Sequence, residues 1–245
     1  MRIKANIELN KAELPLDYRR LFLSLLKHGL SKLDDNGEIL ERYFSSTAQK
    51  PYAFALFIPN GKFSDKVYFD KPNVKLLFTT DNYQCFGDFY NALNILRKEW
   101  IGINNVQMRI TSINLQTEDA ITESCATIKL LSPLVLREHI RDTNHDCYYT
   151  VEDEEFEEKL RTIVASQLTA LKQAPELAYQ LHVVNIKSAR KTVVTHYGKR
   201  FATTIGTMTI VAPPTLLEWL RQTGMGSLRS SGFGMFDVIL QEANS

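Results

Sequence analysis

The chain has 245 residues, a formal net charge of +1 and an apolar fraction of 44%, which suits one large or two small globular domains, and the charge total singles out no class of partner. No apolar run is long enough to cross a membrane, and no apolar signal segment follows Met1, so we expect a cytoplasmic protein. The three cysteines (Cys85, Cys125 and Cys147) are far apart and form no CxxC pair, which argues against a disulfide framework or a zinc site.

The first half of the chain alternates strand and helix patterns. Apolar residues alternate over residues 2–9, which predicts a strand, and an apolar stripe with helical spacing predicts a helix over residues 16–33. Lys27 points away from this stripe and His28 lies at its edge. A looser segment (38–50) is followed by predicted strands at 52–58, 66–69 and 74–79, a helix at 86–100 and a strand at 106–115.

The second half repeats this order without detectable sequence similarity to the first. We predict strands at 125–131, 181–186, 192–195, 200–211 and 236–240, a long helix around residues 156–171 and a short one at 216–220. Acidic residues occupy the start of the long helix, where the helix dipole favours them. The order of elements predicts an α+β protein made of two tandem ferredoxin-like (RRM-like, βαββαβ) domains, residues 1–118 and residues 119–245.

The charged residues are distributed unevenly. Residues 177–217 contain no Asp or Glu but carry two histidines and five cations: Lys187, Arg190, Lys191, Lys199 and Arg200. A local basic zone on a neutral protein is typical of nucleic-acid binding. The alternative is a solvated strand face whose lysines keep an edge soluble.

Glycine and serine dominate residues 224–235, between the last helix and the last strand. Such a loop can turn its N–H groups toward an anion, and an arginine adds a positive fork. The candidate phosphate-binding residues are Gly224, Gly226, Ser227, Arg229, Ser230, Ser231, Gly232 and Gly234. The spacing is neither a Walker loop nor a dinucleotide loop, and a glycine-rich hairpin without a ligand is the alternative.

Three features of the sequence resemble the CRISPR-associated repeat-processing endoribonucleases of the RAMP superfamily (the sixth numbered Cas family). The glycine-rich loop has the form G-x-G-x5-G-F-G and precedes an apolar strand. A Lys-Pro-Tyr-Ala-Phe-Ala-Leu-Phe strand begins at Lys50, and a Leu-Ser-Pro sequence begins at Leu131. Together these features span most of the chain.

The resemblance implies metal-independent cleavage of CRISPR precursor RNA within each repeat, by attack of the ribose 2′-OH, leaving a 2′,3′-cyclic phosphate and a 5′-OH. It places the family's catalytic lysine at Lys50. It places the family's catalytic position on the first helix at Lys27, with His28 next in the chain. The family's loop histidine falls near Tyr43, where this sequence has no histidine. No cofactor is expected. Dimers occur among similar proteins.

The chemistry assigns roles to these residues. His28 would be the base or the acid, Lys50 would stabilise the phosphorane, Lys27 would supply a second cation and Tyr43 would orient the nucleotide. Each also has an ordinary alternative: a packed histidine, a solvated lysine or a core aromatic. His139, His145 and Cys147 do not have the spacing of a known metal-ligand set.

Three functions remain open at this point: a metal-independent endoribonuclease acting on CRISPR repeat RNA, a non-catalytic RNA-binding subunit of a CRISPR effector complex, and a small-molecule-binding α+β domain. The partners expected from the first two are repeat RNA, other effector subunits and a second copy of the chain.

Overall fold

A computed structural model describes residues 1–34, 36–45 and 48–242. Asp35, at the predicted end of the first helix, and residues 46–47, in the predicted looser segment, lie outside the described residues. The elements of the first half are β1 (Arg2–Leu9), β2 (Glu13–Pro15), α1 (Arg19–Ser31), α2 (Glu38–Phe44), β3 (Tyr52–Phe57), β4 (Lys62–Phe63), β5 (Lys66–Tyr68), β6 (Asn73–Thr80), α3 (Tyr83–Ile95), β7 (Trp100–Ile103) and β8 (Val106–Gln116).

A five-stranded antiparallel sheet organises the first half, with strand order β3-β6-β1-β8-β7. β1 supplies Ile3, Ala5 and Ile7 to the core under α1 and α3, as the alternating pattern predicts. Without the edge strand β7, this is the strand order of a ferredoxin-like unit, with the first strand between the third and the fourth.

The second half has the same core with two hairpins added. Its elements are β9 (Cys125–Leu130), β10 (Leu136–Ile140), β11 (His145–Tyr149), α4 (Phe156–Ala170), β12 (His182–Asn185), β13 (Arg190–His196), β14 (Lys199–Ile205), β15 (Thr207–Val211), α5 (Pro214–Thr223) and β16 (Phe236–Glu242). The main sheet has the order β12-β15-β9-β16, while β10–β11 and β13–β14 form separate two-stranded sheets. The predicted fold class, two tandem ferredoxin-like units, is confirmed.

The structure differs from the local predictions in several places. The predicted strand over residues 200–211 is two strands in different sheets, because the chain turns at Gly206 with φ +110°. The looser segment contains the short helix α2, the hairpin β10–β11 was not predicted, and the helix predicted to reach residue 100 ends at Ile95. Each error concerns a short element or an end, where pattern is weakest.

The two units pack on each other through the sheet face of β3 that points away from α1 and α3. Ala53 and Ala55 of β3 form a buried cluster with Met235, just before β16. The segment between α5 and β16, which contains the glycine-rich loop, therefore lies at the junction of the units rather than at their periphery. Among the helices that the structure describes, none combines the length and apolar character needed to span a membrane.

Candidate functional site

Lys50 lies where the segment after α2 enters β3, and it is half-buried. Its Nζ lies 3.4 Å from the backbone carbonyl oxygen of Arg42, in the last turn of α2, and donates to it. Burial lowers the pKa of Lys50 below its ordinary value. A lysine ammonium held near a helix end is suited to stabilising a developing negative charge.

Lys27 and His28 lie on the exposed face of α1. The Nζ of Lys27 lies 4.8 Å from the centroid of the Phe44 ring, at the end of α2. Lys27 and Lys50 thus both contact the last turn of α2, and His28 is the chain neighbour of Lys27. The short helix missed by sequence reasoning is the element that brings the predicted cations into one region.

Tyr43 occupies the protein core, and its predicted role needs correction. The residue is 4% exposed, and its ring contacts the rings of Phe89 and Tyr52 at centroid distances of 5.0 Å and 6.2 Å. The hydroxyl donates to Asp88 Oδ2 at 2.7 Å, and burial raises the pKa of Tyr43. No ring face is left for stacking on a nucleotide, so this is the core-aromatic alternative.

The glycine-rich loop is packed inside the protein, and its interpretation as a phosphate cradle needs correction. Its four glycines are buried and have φ between +68° and +92°. A Cβ on Gly232 would lie 2.8 Å from Cε2 of Phe54 on β3, so glycine allows the loop to approach the first unit. Several loop N–H groups donate to backbone carbonyl oxygens within the protein. These bonds run from Met225 to Gly234, from Ser227 to Val135, and from Gly234 to Pro133.

The predicted role of Arg229 in this loop, a contact with a phosphate, also needs correction. Its side chain is 4% exposed, and its guanidinium donates to the Thr223 carbonyl oxygen at 2.5 Å and to Gln49 Oε1 at 3.1 Å. Burial lowers the pKa of Arg229 to about 10, which leaves it positive at neutral pH. Its charge acts inside the domain junction and not on a bound phosphate. Ser227, Ser230 and Ser231 remain half-buried.

Gln49 was not among the predicted site residues, yet it connects both units next to Lys50. Its Oε1 accepts from Arg229, and its Nε2 lies 3.5 Å from Ser166 Oγ on α4. The only sequence signal was its position directly before the lysine that begins the strand motif. The geometry makes Gln49 a link between the glycine-rich loop and the backbone that carries Lys50.

The basic zone forms an exposed hairpin. All five predicted cations of this zone are exposed; Arg190 and Lys191 begin β13, whereas Lys199 and Arg200 begin β14 at the opposite end of the hairpin. Lys187 lies before the hairpin, and its Nζ donates to Thr127 Oγ1 at 3.2 Å. The two pairs of cations therefore lie at opposite ends of a hairpin roughly 20 Å long, from six residue steps of about 3.4 Å each.

His196, in the same stretch, does not belong to the exposed surface. It is 4% exposed, lies 3.3 Å from Asp17 Oδ1 and packs edge-on against Phe233. The neighbouring Arg19 donates to the Gly232 carbonyl oxygen at 3.1 Å and lies over the Phe233 ring. These contacts join the start of α1 to the hairpin and to the glycine-rich loop.

A cleft of about 640 Å³ opens between the two units beside these contacts. The first unit contributes Tyr18 and Phe63 to its lining, and the second contributes Pro133, Val193 and Arg200. Phe63 and Val193 are 63% and 52% exposed, so apolar and cationic groups face the same space. In the described part of the chain, no group of three or more His, Cys, Asp or Glu side chains is arranged to hold a metal ion.

Comparison with known proteins gives one family and one fold. The family model described as CRISPR associated protein Cas6, C-terminal, matches residues 115–238, half of the chain. No curated protein matches the chain at a significant level. A Cas6-related protein from Pyrococcus furiosus has 16% sequence identity and a TM-score of 0.82, with 99% of each chain covered.

Two further solved structures share the fold. A structure described as a RAMP protein binding different RNA substrates has 16% identity and a TM-score of 0.80, covering 98% of this chain and 100% of that one. A product complex of a Thermus thermophilus Cas6 has 17% identity and a TM-score of 0.72, with the same coverage. At these identities the structural likeness concerns the fold.

Proposed function

Because the chain belongs to the Cas6 family, we propose that it is a metal-independent endoribonuclease that cleaves CRISPR precursor RNA within its repeats. The observation that carries the proposal is the arrangement around α2: Lys27 and Lys50 both contact its last turn, and His28 stands next to Lys27 on the exposed face of α1. In-line attack by a 2′-OH needs cations near the phosphorane and a group that moves protons.

The roles follow from the chemistry of each side chain. His28 takes the proton from the 2′-OH or returns one to the leaving 5′-oxygen. Lys50 stabilises the charge of the phosphorane, and Lys27 adds a second positive charge. The products are a 2′,3′-cyclic phosphate and a 5′-OH. Tyr43 has no direct part, because its hydroxyl and ring are engaged in the core.

The two units divide the work in this proposal. Residues 1–118 carry the catalytic groups, and residues 119–245 carry the exposed cations of β13–β14 that hold the RNA phosphates. Among proteins of the same fold, one is described as binding different RNA substrates and others as product or substrate-mimic complexes. Repeat RNA is accordingly the substrate that we assign to this chain.

The second candidate function is a non-catalytic RNA-binding subunit of a CRISPR effector complex. One observation favours it: no histidine lies between Glu38 and Lys50, and the residue nearest to the family's histidine position, Tyr43, is buried. The exposed cations that would bind the RNA do not depend on a histidine at this position. Contacts with other effector subunits and a homodimer belong to the same proposal.

Cleavage in EDTA tests the proposed reaction. The host's repeat RNA is incubated with the purified protein and with Lys50→Ala, His28→Ala and Lys71→Ala. Lys71 is a matched control, because it is exposed and precedes β6 by two residues. The opposite end of β6, at Thr80, pairs with Tyr52, two residues after Lys50. We expect a single cut that a 2′-deoxy at the scissile position blocks, and a loss of at least about 100-fold in the first two variants only.

The outcomes separate the candidates. Tight binding without a cut assigns the chain to the RNA-binding subunit, and loss of cleavage in Lys50→Ala alone removes His28 from the mechanism. Cleavage that requires a divalent cation contradicts the proposed chemistry.

A further inference from the structure

Two hairpins of the second unit stand side by side and share an aromatic contact. The rings of Tyr148 on β11 and Phe201 on β14 stack with centroids 4.6 Å apart and an interplanar angle of 14°. In the β10–β11 register, Arg137 pairs with Tyr148 and His139 pairs with Asp146. Paired residues share a sheet face, so Arg137 and His139 lie on the face turned toward β14.

Lys199 joins the same place from the other hairpin. It lies two residues before Phe201 on β14, and residues two apart in a strand share a face. The hydrogen bond from His139 and the positive charges of Arg137 and Lys199 all lower the pKa of Asp146. Charges from both hairpins therefore act on one carboxylate.

Asp146 is the centre of this cluster. Its Oδ1 lies 2.9 Å from His139 Nδ1, and its Oδ2 lies 3.8 Å from Arg137 Nη1. The side chain of Asp146 is 22% exposed, whereas those of Arg137 and His139 are 41% and 47% exposed. One carboxylate holds the basic side chains in position without covering them. Lys199 is exposed as well, and a guanidinium and an ammonium carry eight N–H donors between them.

We propose that Arg137 and His139, together with Lys199 of the basic zone, form a binding site for a phosphate of the RNA backbone, which extends this zone onto the β10–β11 hairpin. This inference rests on the proposed function, because it assigns part of the substrate's path. The backbone N–H of Arg137 donates to Ser227 Oγ at 3.3 Å, so the site borders the glycine-rich loop at the junction of the units.

The cluster suits a phosphate rather than a base. Stacking on a base needs an open ring face, and Phe201 covers one face of the Tyr148 ring. What the cluster presents instead is positive charge in a fixed geometry, which contacts any sequence alike. The site therefore adds affinity and orientation, and it does not discriminate between repeat sequences.

The test measures binding of a non-cleavable 2′-deoxy-substituted repeat RNA and of a scrambled RNA of equal length at several salt concentrations. The variants are Arg137→Gln, His139→Gln and Lys199→Gln, with Lys71→Gln as the matched surface control. We expect Arg137→Gln and Lys199→Gln each to weaken both RNAs about fivefold and to reduce the slope of log affinity against log salt by about 0.7 to 0.9. His139→Gln acts in the same direction, and Lys71→Gln matches the wild type.

Asp146→Asn distinguishes a phosphate site from a purely structural cluster. Removing the carboxylate leaves the cations and raises the local charge by one, so RNA binding is expected to be at least as tight as in the wild type. Binding weakened as much as in Arg137→Gln would show that the cluster only supports the hairpins and would overturn the proposal.

Three other results have separate meanings. Wild-type affinity and salt slope in both Arg137→Gln and Lys199→Gln would refute this site while leaving the proposed function intact. If the wild-type protein bound neither RNA in a salt-dependent way, the proposed function itself would fail. If the variants kept RNA binding but lost an acidic protein partner, the surface would belong to that partner and not to RNA.

Discussion

At the scale of single residues, His196 is the only buried histidine among the described residues. Asp17, Arg19 and Arg20 surround it together with the Phe233 and Tyr197 rings. Loss of hydration on burial lowers the pKa of His196, and the nearby Asp17 opposes this effect only in part. The folded protein therefore holds His196 in its neutral form over a wider pH range than the unfolded chain does.

This difference predicts how stability depends on pH. Because the pKa of His196 is lower in the folded state, the unfolded chain binds more protons between the two pKa values, so folding weakens as pH falls below the ordinary histidine value. The His196→Gln variant should lose this part of the pH dependence, whereas His145→Gln, at an exposed position, should keep it. Urea unfolding at pH 5.5 and pH 7.5 measures both, and equal pH dependence in the wild type and His196→Gln would contradict the expectation.

At the scale of elements, the glycine-rich loop is a packing device. At Gly234, φ is +68°, and a Cβ would overlap the carbonyl oxygen of Met225. In contrast, Gly87 lies inside α3 and a Cβ there would meet no atom within 4 Å. The same substitution at the two positions therefore has opposite consequences.

Gly234→Ala should lower the free energy of unfolding by about 2 kcal/mol or more, since a left-handed backbone and a steric overlap each cost about 1–3 kcal/mol. Gly87→Ala should raise it by about 0.5–1 kcal/mol, because glycine inside a helix is unfavourable relative to alanine. Denaturant unfolding of both variants checks the signs. A mild effect at Gly234 would mean that the loop is free to move away from Met225.

The same loop shows what could be predicted from the sequence and what could not. Periodicity revealed the strands and helices of both ferredoxin-like cores, because burial of one face leaves a repeating pattern. Composition showed that the loop needs glycine, but not whether the reason is a ligand or a close backbone approach. The contact of Gly232 with Phe54 joins residues 178 positions apart, and local pattern carries no such information.

Sequence patterns likewise indicated some residues of the candidate site, whereas others depend on long-range contacts. Lys50 was found through a strand motif, and Lys27 and His28 through their place on a helix face. Arg229 was misread, because an arginine in sequence gives no sign of whether its charge faces water or another unit. The cluster around Asp146 was missed because it depends on two hairpins lying side by side. The β10–β11 hairpin was not predicted, and β14 was predicted as one strand with β15.

At the scale of the whole molecule, buried arginines join the two units. Arg2 on β1 donates to the Phe236 carbonyl oxygen at 3.1 Å and pairs with Glu118 at 2.9 Å. Arg19 donates from the first unit to Gly232 of the second. Arg229 donates from the second unit to Gln49 of the first. Each guanidinium donates to oxygens of the opposite unit, so the junction is polar and directional, and a shift of one unit leaves buried charges unpaired.

The contact between Gln49 and Arg229 lies closest to the proposed chemistry. It fixes the residue before Lys50 against a buried group of the second unit. If the proposed cleavage occurs, Gln49→Ala should lower the single-turnover rate about 10-fold, because small displacements of a catalytic group are costly. RNA affinity should stay within about twofold, since the cations that would bind the RNA are elsewhere. Gln49→Glu, which keeps an oxygen opposite Arg229, should restore most of the rate.

Gln173→Ala is the matched control, because Gln173 is an exposed glutamine beyond the end of α4. Rates come from single-turnover cleavage of repeat RNA, and affinities from the non-cleavable analogue. If Gln49→Ala cleaved at the wild-type rate, Lys50 would hold its position without the second unit. If Gln49→Ala and Gln49→Glu were equally slow, the amide nitrogen facing Ser166 would be the important group, because that donor is lost in both variants.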